Sequence, residues 1–439
     1  MTPAPVSALL RRWRPDAHCP YLGVQLESYG AKASKSPRGW IVRSKTLRRW
    51  SLVPIAAIAL AVGLTMPTTG QPSSQAHPEQ SLMARQAAAL RTAKAMVEAE
   101  GHGGGVTVVA DHLNNPRGLD LVRGTLYVAE AGRGGDLCLE PVQGPCFGFT
   151  SSVTKVSHGR QRRIVRGLLS IAGPDGTGAG GAHDVSVARR GGGLFMIMAT
   201  VGCPDQVPPG LDPEILRQSG KLLRARHGAK RVVADITAFE CANNPDGETL
   251  ETNPYSVLAL SNHHQVVADA AGNSILEVRN GRVSLLAVIP ESANGTDQVP
   301  TSLARGPDGA YYVGTLAEGA GNGAANVWRV VPGQAPEVFI SGLTAVVDIA
   351  FGPDGSLYAS EFVTDWTTSQ NPSGAVVRVR PNGQRSVLGE GSLFFPGGVA
   401  VSRRGHVYVA NWSILPATGI PDIPGARGQV VRLSSRPGS

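Results

Sequence analysis

Residues 104–435 of this 439-residue chain are expected to be all-β, a six-bladed β-propeller closed by an N-terminal strand. Three observations lead there. A strand-turn-strand segment recurs from positions 115, 253, 299, 346 and 395 (NPRGLDLVRGTLYVAEAG, NPYSVLALSNHHQVVADAAG, VPTSLARGPDGAYYVGTLAEG, VVDIAFGPDGSLYASEF and FPGGVAVSRRGHVYVANWS), and a degenerate copy, GAHDVSVARRGGGLFMIMATVG, stands between the first two. Tyr127, Met196, Val266, Tyr312, Tyr358 and Tyr408 then form one column, spaced 69, 70, 46, 46 and 50 residues apart. Four short strands in a repeat of that length make a propeller blade, with insertions lengthening the first two units. Finally, the sixth unit ends at QVVRLS without a fourth strand, and GVTVVADHL from residue 105 can supply it. Such closure removes an exposed sheet edge.

Within each unit the first two strands flank a tight turn, Pro-Asp-Gly twice and Arg-Gly at two others, residue types that supply hairpin geometry. After a variable loop comes a third strand (SVTKVS, SILEVR, NVWRVV, AVVRVR, QVVRLS) and then a fourth (RRIVRGL, VSLLAVI, PEVFISGL, QRSVLG). The degenerate unit continues as KLLRARH and KRVVADI. The Tyr127 column sits where blades pack on one another.

Upstream, Arg43, Lys45, Arg48 and Arg49 precede the uncharged run Leu52–Met66 and then a polar stretch, the order of a secretory signal peptide over residues 43–76. Its 15 apolar residues make about 22 Å of helix, short of a hydrocarbon core of about 30 Å. No membrane span is therefore expected in the mature protein, which would be secreted or extracytoplasmic. Residues 1–42 read as an extension from a mis-assigned start, with Val24 or Val42 as the alternative. Residues 77–103 read as a short helix with Leu82, Ala89, Ala93, Met96 and Val97 at helical spacing, closed by the Gly-rich hinge GHGGG.

Composition agrees with the fold class: 55 Gly and 32 Pro beside 42% apolar and 17% charged residues describe a turn-dense chain, unlike a helical bundle. Its net charge of +8 resides wholly in residues 1–50, leaving 31 basic and 31 acidic residues elsewhere. No nucleic-acid partner is expected of so neutral a body. Apart from Cys19, the cysteines fall as two near pairs, Cys138 with Cys146 and Cys203 with Cys241, and disulfides in that order are the favoured connectivity for an exported chain. Zinc is disfavoured because no Cys-x-x-Cys spacing exists.

In a propeller the leading strand of each blade lines the central channel, where only small or inward polar residues fit. That column reads Gly118, Asp184, Ser256, Ser302, Asp348 and Gly398, which sets Asp184 and Asp348 opposite each other. Beside it run Arg117, His183, Tyr255, Thr301, Val347 and Gly397, and the second strands end on Glu130, Ala199, Asp269, Thr315, Glu361 and Asn411. Hairpin geometry puts all three columns on one face, together with the long loops 131–151, 201–219, 316–325, 362–374 and 412–427. Loops on a rigid scaffold are where binding residues concentrate. Arg117, Glu130, His183, Tyr255, Asp269, Glu361 and Asn411 are accordingly the candidate ligand-binding residues. The polar strand ends have two readings, a ring around a ligand or caps on the strands. Asp184 and Asp348 also have two: oxygen ligands of Ca2+, or acceptors for backbone N–H groups of neighbouring blades. His183 could be a general base, but alternation along a strand would turn it away from Asp184, which favours a packed or solvated histidine.

Three further signals are set aside. Gly176, Gly178 and Gly181 satisfy Gly-x-Gly-x-x-Gly, yet they lie between two strands rather than at a strand-to-helix turn. His102 with Gly103–Gly105 has the form of an esterase oxyanion segment but lacks a Gly-x-Ser-x-Gly elbow. Arg160, Arg162, Arg163 and Arg166 read as a solvated face of an outer strand.

The segments NNPRGLDLVRGTLYVAEAGRGG, NPYSVLALSNHHQVVADAAGNSILEV, VPTSLARGPDGAYYVG, VVDIAFGPDGSLYASE and FFPGGVAV resemble the ScyD/ScyE family of exported NHL-type propellers, over about residues 104–435. The resemblance implies an NHL/TolB-like propeller that is secreted or periplasmic. It brings no established catalytic residue set, so none is carried over.

Two functions follow as expectations. One is a non-catalytic exported protein binding a small molecule, glycan or protein on the loop-bearing face. The other is a calcium-dependent lactonase or esterase, with metal near Asp184 and Asp348 and acid or base work from His183, Glu130, Asp269 or Glu361. The incomplete constellation at the axis favours binding, since fold alone does not select a chemistry.

Overall fold

The computed structural model describes residues 105–434, apart from 140–143, 293–294, 318, 367–372 and 422. The expected extension, signal peptide, and helix with its hinge lie outside the described residues.

Strand β1 (Val106–Leu113) is followed by six antiparallel sheets. Blade 1 holds β2 (Pro116–Val122), β3 (Thr125–Glu130), β5 (Cys146–Ser157) and β6 (Arg160–Ala172), with the two-residue β4 (Leu137–Cys138) added on β5. Blade 2 holds β7 (Ala182–Val187), β8 (Leu194–Met198), β9 (Lys221–Arg226) and β10 (Ala229–Asp235). Blade 3 is built of β11 (Pro254–Ser261), β12 (His264–Asp269), β13 (Ser274–Arg279) and β14 (Arg282–Val288). Blade 4 comprises β15 (Pro300–Arg305), β16 (Tyr311–Thr315), β17 (Ala325–Val330) and β18 (Glu337–Leu343). Blade 5 comprises β19 (Val346–Phe351), β20 (Leu357–Glu361), β21 (Ser373–Val379) and β22 (Arg385–Phe394). Blade 6 takes β23 (Val399–Val401), β24 (Val407–Asn411) and β25 (Gly428–Leu433) from the C-terminal end and β1 from the other.

Innermost strands pack in a cycle, β2 on β7, β7 on β11, β11 on β15, β15 on β19, β19 on β23 and β23 on β2, so the sheets close into a ring. The seal is the expected one: β1 runs antiparallel to β25 from Val106 opposite Leu433 to Leu113 opposite Gly428. An ion pair adds to it, with Arg427 donating to Asp111 at 2.6 and 2.8 Å.

The turns show why Pro-Asp-Gly recurs. In blade 4, Asp308 accepts from the Ala310 N–H at 3.2 Å, while Gly309 takes φ +84°, a conformation that glycine adopts without a Cβ clash. The same Asp308 receives the Arg329 guanidinium at 2.8 Å, tying the turn to the third strand. Between blades, alternating inward residues interlock. Phe147, Leu168, Leu169, Met196 and Met198 fill the space between blades 1 and 2, and Tyr312, Ile340, Ile349 and Leu357 that between blades 4 and 5. Each such fully buried side chain stabilises by roughly 1.5–3 kcal/mol.

Both expected disulfides form. Cys138–Cys146 closes the β4–β5 hairpin, and Cys203–Cys241, 38 residues apart, ties the β8–β9 loop to helix α2 (Ile236–Asn243). A one-and-a-half-turn helix, α1 (Pro213–Gln218), lies in that loop behind its Asp212 cap. Two disulfides suit an oxidising, extracytoplasmic environment. Among the described residues no helix is long and apolar enough to cross a membrane.

Candidate functional site

At the start of the innermost strand of blades 1 to 5, the pairing register skips. It breaks between Pro116 and Leu119, Ala182 and Asp184, Pro254 and Ser256, Pro300 and Ser302, and Val346 and Asp348. The extra residues are Arg117 with Gly118, His183, Tyr255, Thr301 and Val347. A bulge places two residues opposite one and breaks the alternation of faces. This corrects the expectation that His183 turns away from Asp184, because members of both columns line one enclosed space at the axis.

That space is about 10 Å3, room for roughly one water. Asp184 is fully engaged within its wall. One carboxylate oxygen accepts from the Val257 N–H and the Ser256 hydroxyl of blade 3, both at 2.9 Å, and the other from the Val185 N–H at 2.7 Å. Asp348 accepts from the Val399 N–H of blade 6 at 2.7 Å and from the Ile349 N–H at 2.8 Å. Burial pushes Asp184 up to about 7. Burial and then the charge of Asp184 hold Asp348 well above the usual carboxylate range. Both side chains thus bridge neighbouring blades, as buried backbone donors require.

His183 is sealed beside them. Its Nδ1 lies 3.1 Å from the Pro254 carbonyl, which only accepts, so that nitrogen carries the proton. Burial, and after it the charge of Arg117, lowers its pKa to about 3, so the ring is neutral at physiological pH. Arg117 donates to the Ala179 carbonyl at 2.8 Å and to the Tyr255 hydroxyl, and Tyr255 packs on His183 with ring centroids 4.8 Å apart.

Second-strand ends share a different geometry, in which each reaches back to the segment leading into its own blade. Glu130 accepts from the Asn114 N–H at 2.8 Å, Asp269 from Asn253 at 2.6 Å, Glu361 from Thr344 at 2.8 Å and Asn411 from Phe394 at 2.7 Å. In blade 4, Thr315 donates instead to Gln298 at 3.1 Å. Burial raises Asp269 to about 6 and Glu361 to about 7. These contacts are those of strand caps. Glu130 also takes Arg163 through Nε at 2.9 Å and Nη2 at 2.6 Å, so Arg163 is not part of the solvated face expected of its neighbours. Arg163→Ala would leave a fully buried carboxylate unpaired. Because the arginine is itself partly exposed, we expect a loss of about 2 kcal/mol in urea unfolding, and an unchanged midpoint would refute this role for the pair.

Above the axis on the loop-bearing side lies an apolar lid. Phe394 stacks on Trp412 at 4.6 Å, Phe362 packs on Phe395 at 5.2 Å, and Tyr255 and Val347 join this cluster to the axial residues. The 412–427 loop is stapled across blade 1, where the Asn115 N–H donates to the Leu415 carbonyl at 2.8 Å and Gly178 to Ile414 at 2.9 Å.

Calcium needs roughly six to eight oxygen ligands. Every carboxylate oxygen of Asp184 and Asp348 already faces a backbone N–H, the Arg117 cation shares the space, and the hydroxyls of the wall are engaged, Ser256 with Asp184, Thr301 with the Val346 carbonyl and Tyr255 with Arg117. Among the described residues no three His, Cys, Asp or Glu side chains are placed to share a metal. The axial residues do not fit a calcium ion.

Sequence reasoning missed the opposite mouth of the channel, a cavity of about 720 Å3 reached by Arg189, Arg190, Arg279 and Arg305. It also missed Asp120, which bridges blades by accepting from the Val187 N–H at 2.7 Å and from Arg189 at 2.8 Å. Their signal was the recurrence of arginine where leading strands end or turn, at Arg123, Arg189, Arg190, Arg305 and Arg403.

No protein-family model and no curated protein matches the chain. Solved structures similar to it include the calcium-binding protein regucalcin of Agrobacterium tumefaciens, at 13% identity and TM-score 0.43, over 75% of this chain and 93% of that one. A gluconolactonase of Xanthomonas campestris follows at 10% identity and TM-score 0.44, over 75% and 89%. Virginiamycin B lyase of Staphylococcus aureus stands at 12% identity and TM-score 0.41, over 70% and 83%. None of these likenesses carries an argument about chemistry.

Proposed function

We propose that this chain is an exported, non-catalytic binding protein of ScyD/ScyE type that meets a glycan or protein partner on its loop-bearing face. One observation carries the reading: the polar residues beneath that face are committed to backbone donors, under an apolar lid, while the loops above are held by disulfides. Catalysis would want a reactive group with a vacant approach, and here the neutral His183 has room for about one water beside it, while every oxygen of Asp184 and Asp348, which also border the wider cavity on the far side, already accepts a backbone N–H. Binding wants a surface whose ordering cost is met before the partner arrives. The disulfides at Cys138 and Cys203, and the stapled 412–427 loop, supply that order.

The test uses the mature protein, purified without chelator. It should hold no stoichiometric calcium, turn over neither lactones nor esters with or without added Ca2+, and show saturable binding on a glycan array or to an extracytoplasmic protein in crosslinking. Lactone or ester turnover that disappears in Asp184→Ala would overturn the proposal in favour of a calcium-dependent hydrolase.

A further inference from the structure

The channel mouth opposite the loop-bearing face is far roomier than the one-water space at the axis, with Asp184 and Asp348 bordering both. Its cavity of about 720 Å3 lies in the range of small-molecule sites, roughly 300–1,000 Å3. Two chemically different walls face each other across it.

Blades 2 to 4 supply cations. Arg189 and Arg190 sit on the β7–β8 turn, Arg279 ends β13 and Arg305 ends β15. Two of these charges are already answered, Arg189 by Asp120 and Arg279 by Glu277, each at 2.8 Å. Among the described residues Arg190 and Arg305 have no ion-pair partner. On the same wall burial and then the charge of Arg279 lower the pKa of His264, with Glu277 opposing and Arg305 adding to the fall.

Blades 1, 5 and 6 supply the other wall, which is apolar toward its rim; deeper in, the cavity is bordered by Asp120, Asp184 and Asp348, held by Arg189 and by backbone N–H groups. Leu119 and Leu121, Ile349 and Phe351, and Val399 and Val401 turn toward the cavity. Leu121, Phe351 and Val401 remain half-exposed there.

The cationic turn is held in place. Asn262 of blade 3 accepts from the Gly193 N–H at 2.9 Å and donates to the Gly191 carbonyl at 3.2 Å, and the Arg189 N–H reaches the Ala259 carbonyl. Arg190 itself bridges to Ser261 through the backbone. A guanidinium on a fixed backbone keeps more of its hydrogen-bond energy for a ligand.

We propose that this mouth binds an amphipathic organic anion, with its acidic head on Arg190 and Arg305 and its apolar body against Leu121, Phe351 and Val401. A carboxylate or a sulfonate head meets the same planar donors. The site is independent of the partner proposed for the loop-bearing face.

Titration of the full mature protein with 8-anilinonaphthalene-1-sulfonate, followed by fluorescence, tests it. Saturable one-to-one binding is expected, displaced by decanoate but not by inorganic phosphate. The double variant Arg190→Ala/Arg305→Ala should bind at least about tenfold more weakly at an unchanged melting temperature, both side chains being exposed. Arg133→Ala, on the loop-bearing side, should bind as the wild type does. The proposal is overturned if the double variant binds within about twofold of wild type. It also fails if uncharged N-phenyl-1-naphthylamine binds equally well, or if phosphate competes as effectively as decanoate.

Discussion

Shifting the solution from about pH 6 to about pH 8 is expected to lower the melting temperature of this protein by several degrees. Six buried or half-buried carboxyls drive the change: Asp184 and Glu361 are raised to about 7, Glu251 to about 7, Glu240 to about 8, Asp269 to about 6, and Asp348 well above its usual range. Burial is the largest cause in each. Between their unfolded and folded pKa values the native state holds protons that the unfolded chain has released. Their contribution is fully present below the unfolded values and is lost as pH rises through the folded ones, at about 1.4 kcal/mol per pH unit for each fully buried group. His183 works the other way, because its folded value near 3 withdraws stability only as pH falls below its unfolded value of 6.5. One histidine does not outweigh six carboxyls, so the fall with rising pH begins below pH 6 and the optimum lies on the acid side of it. Calorimetry across the range checks it, with Asp184→Asn expected to flatten part of the slope. A melting temperature that climbs steadily from pH 6 to pH 8 would show that the axial carboxyls ionise freely.

Gly398→Ala is expected to be among the most damaging single substitutions in the ring, at about 3–5 kcal/mol. An added Cβ would lie 2.6 Å from the Arg117 carbonyl oxygen and 2.6 Å from the Leu119 nitrogen, and 2.9 Å from the Gly118 carbonyl carbon. All three are main-chain atoms of the next blade and cannot rotate away. Relief would require blades 6 and 1 to part, which also strains the Gly398 N–H bond to Arg117. Gly405, whose Cβ would meet nothing within 4 Å, is the control. Alanine there should cost only about 1 kcal/mol, for its φ of +79°. Equal urea midpoints for the two variants would refute close approach at the axis.

Much of this architecture was legible in the residues, because a propeller repeats and repetition is visible in one chain. Strand order, the closing role of GVTVVADHL and the cysteine partners all follow from local pattern and proximity along the chain. What was not legible depends on departures from pattern. His183 was assigned by strict alternation, and a bulge, which adds one residue without changing composition, reverses its direction. Arg163 looked like its solvated neighbours because its partner Glu130 lies 33 positions away and across a sheet. The lid over the axis was hidden for a similar reason, since Phe362, Phe394 and Trp412 come from separate connections that only the ring brings together. The basic mouth left little trace because its arginines stand on short turns and strand ends of three blades, which only the ring brings together.

Pairing of β1 with β25 also sets an order of assembly. During synthesis the partner of Val106 is Leu433, so the first of the described strands to emerge waits for the last of them. Until then the nascent chain is an open arc with a bare strand at each end, competent for sticking to other chains. The Cys138–Cys146 and Cys203–Cys241 bonds join residues within or just beyond single blades, so they can form while the seam is still apart. Joining the most distant contact in the ring is then the slow event, and it fixes how long the newly made protein remains vulnerable.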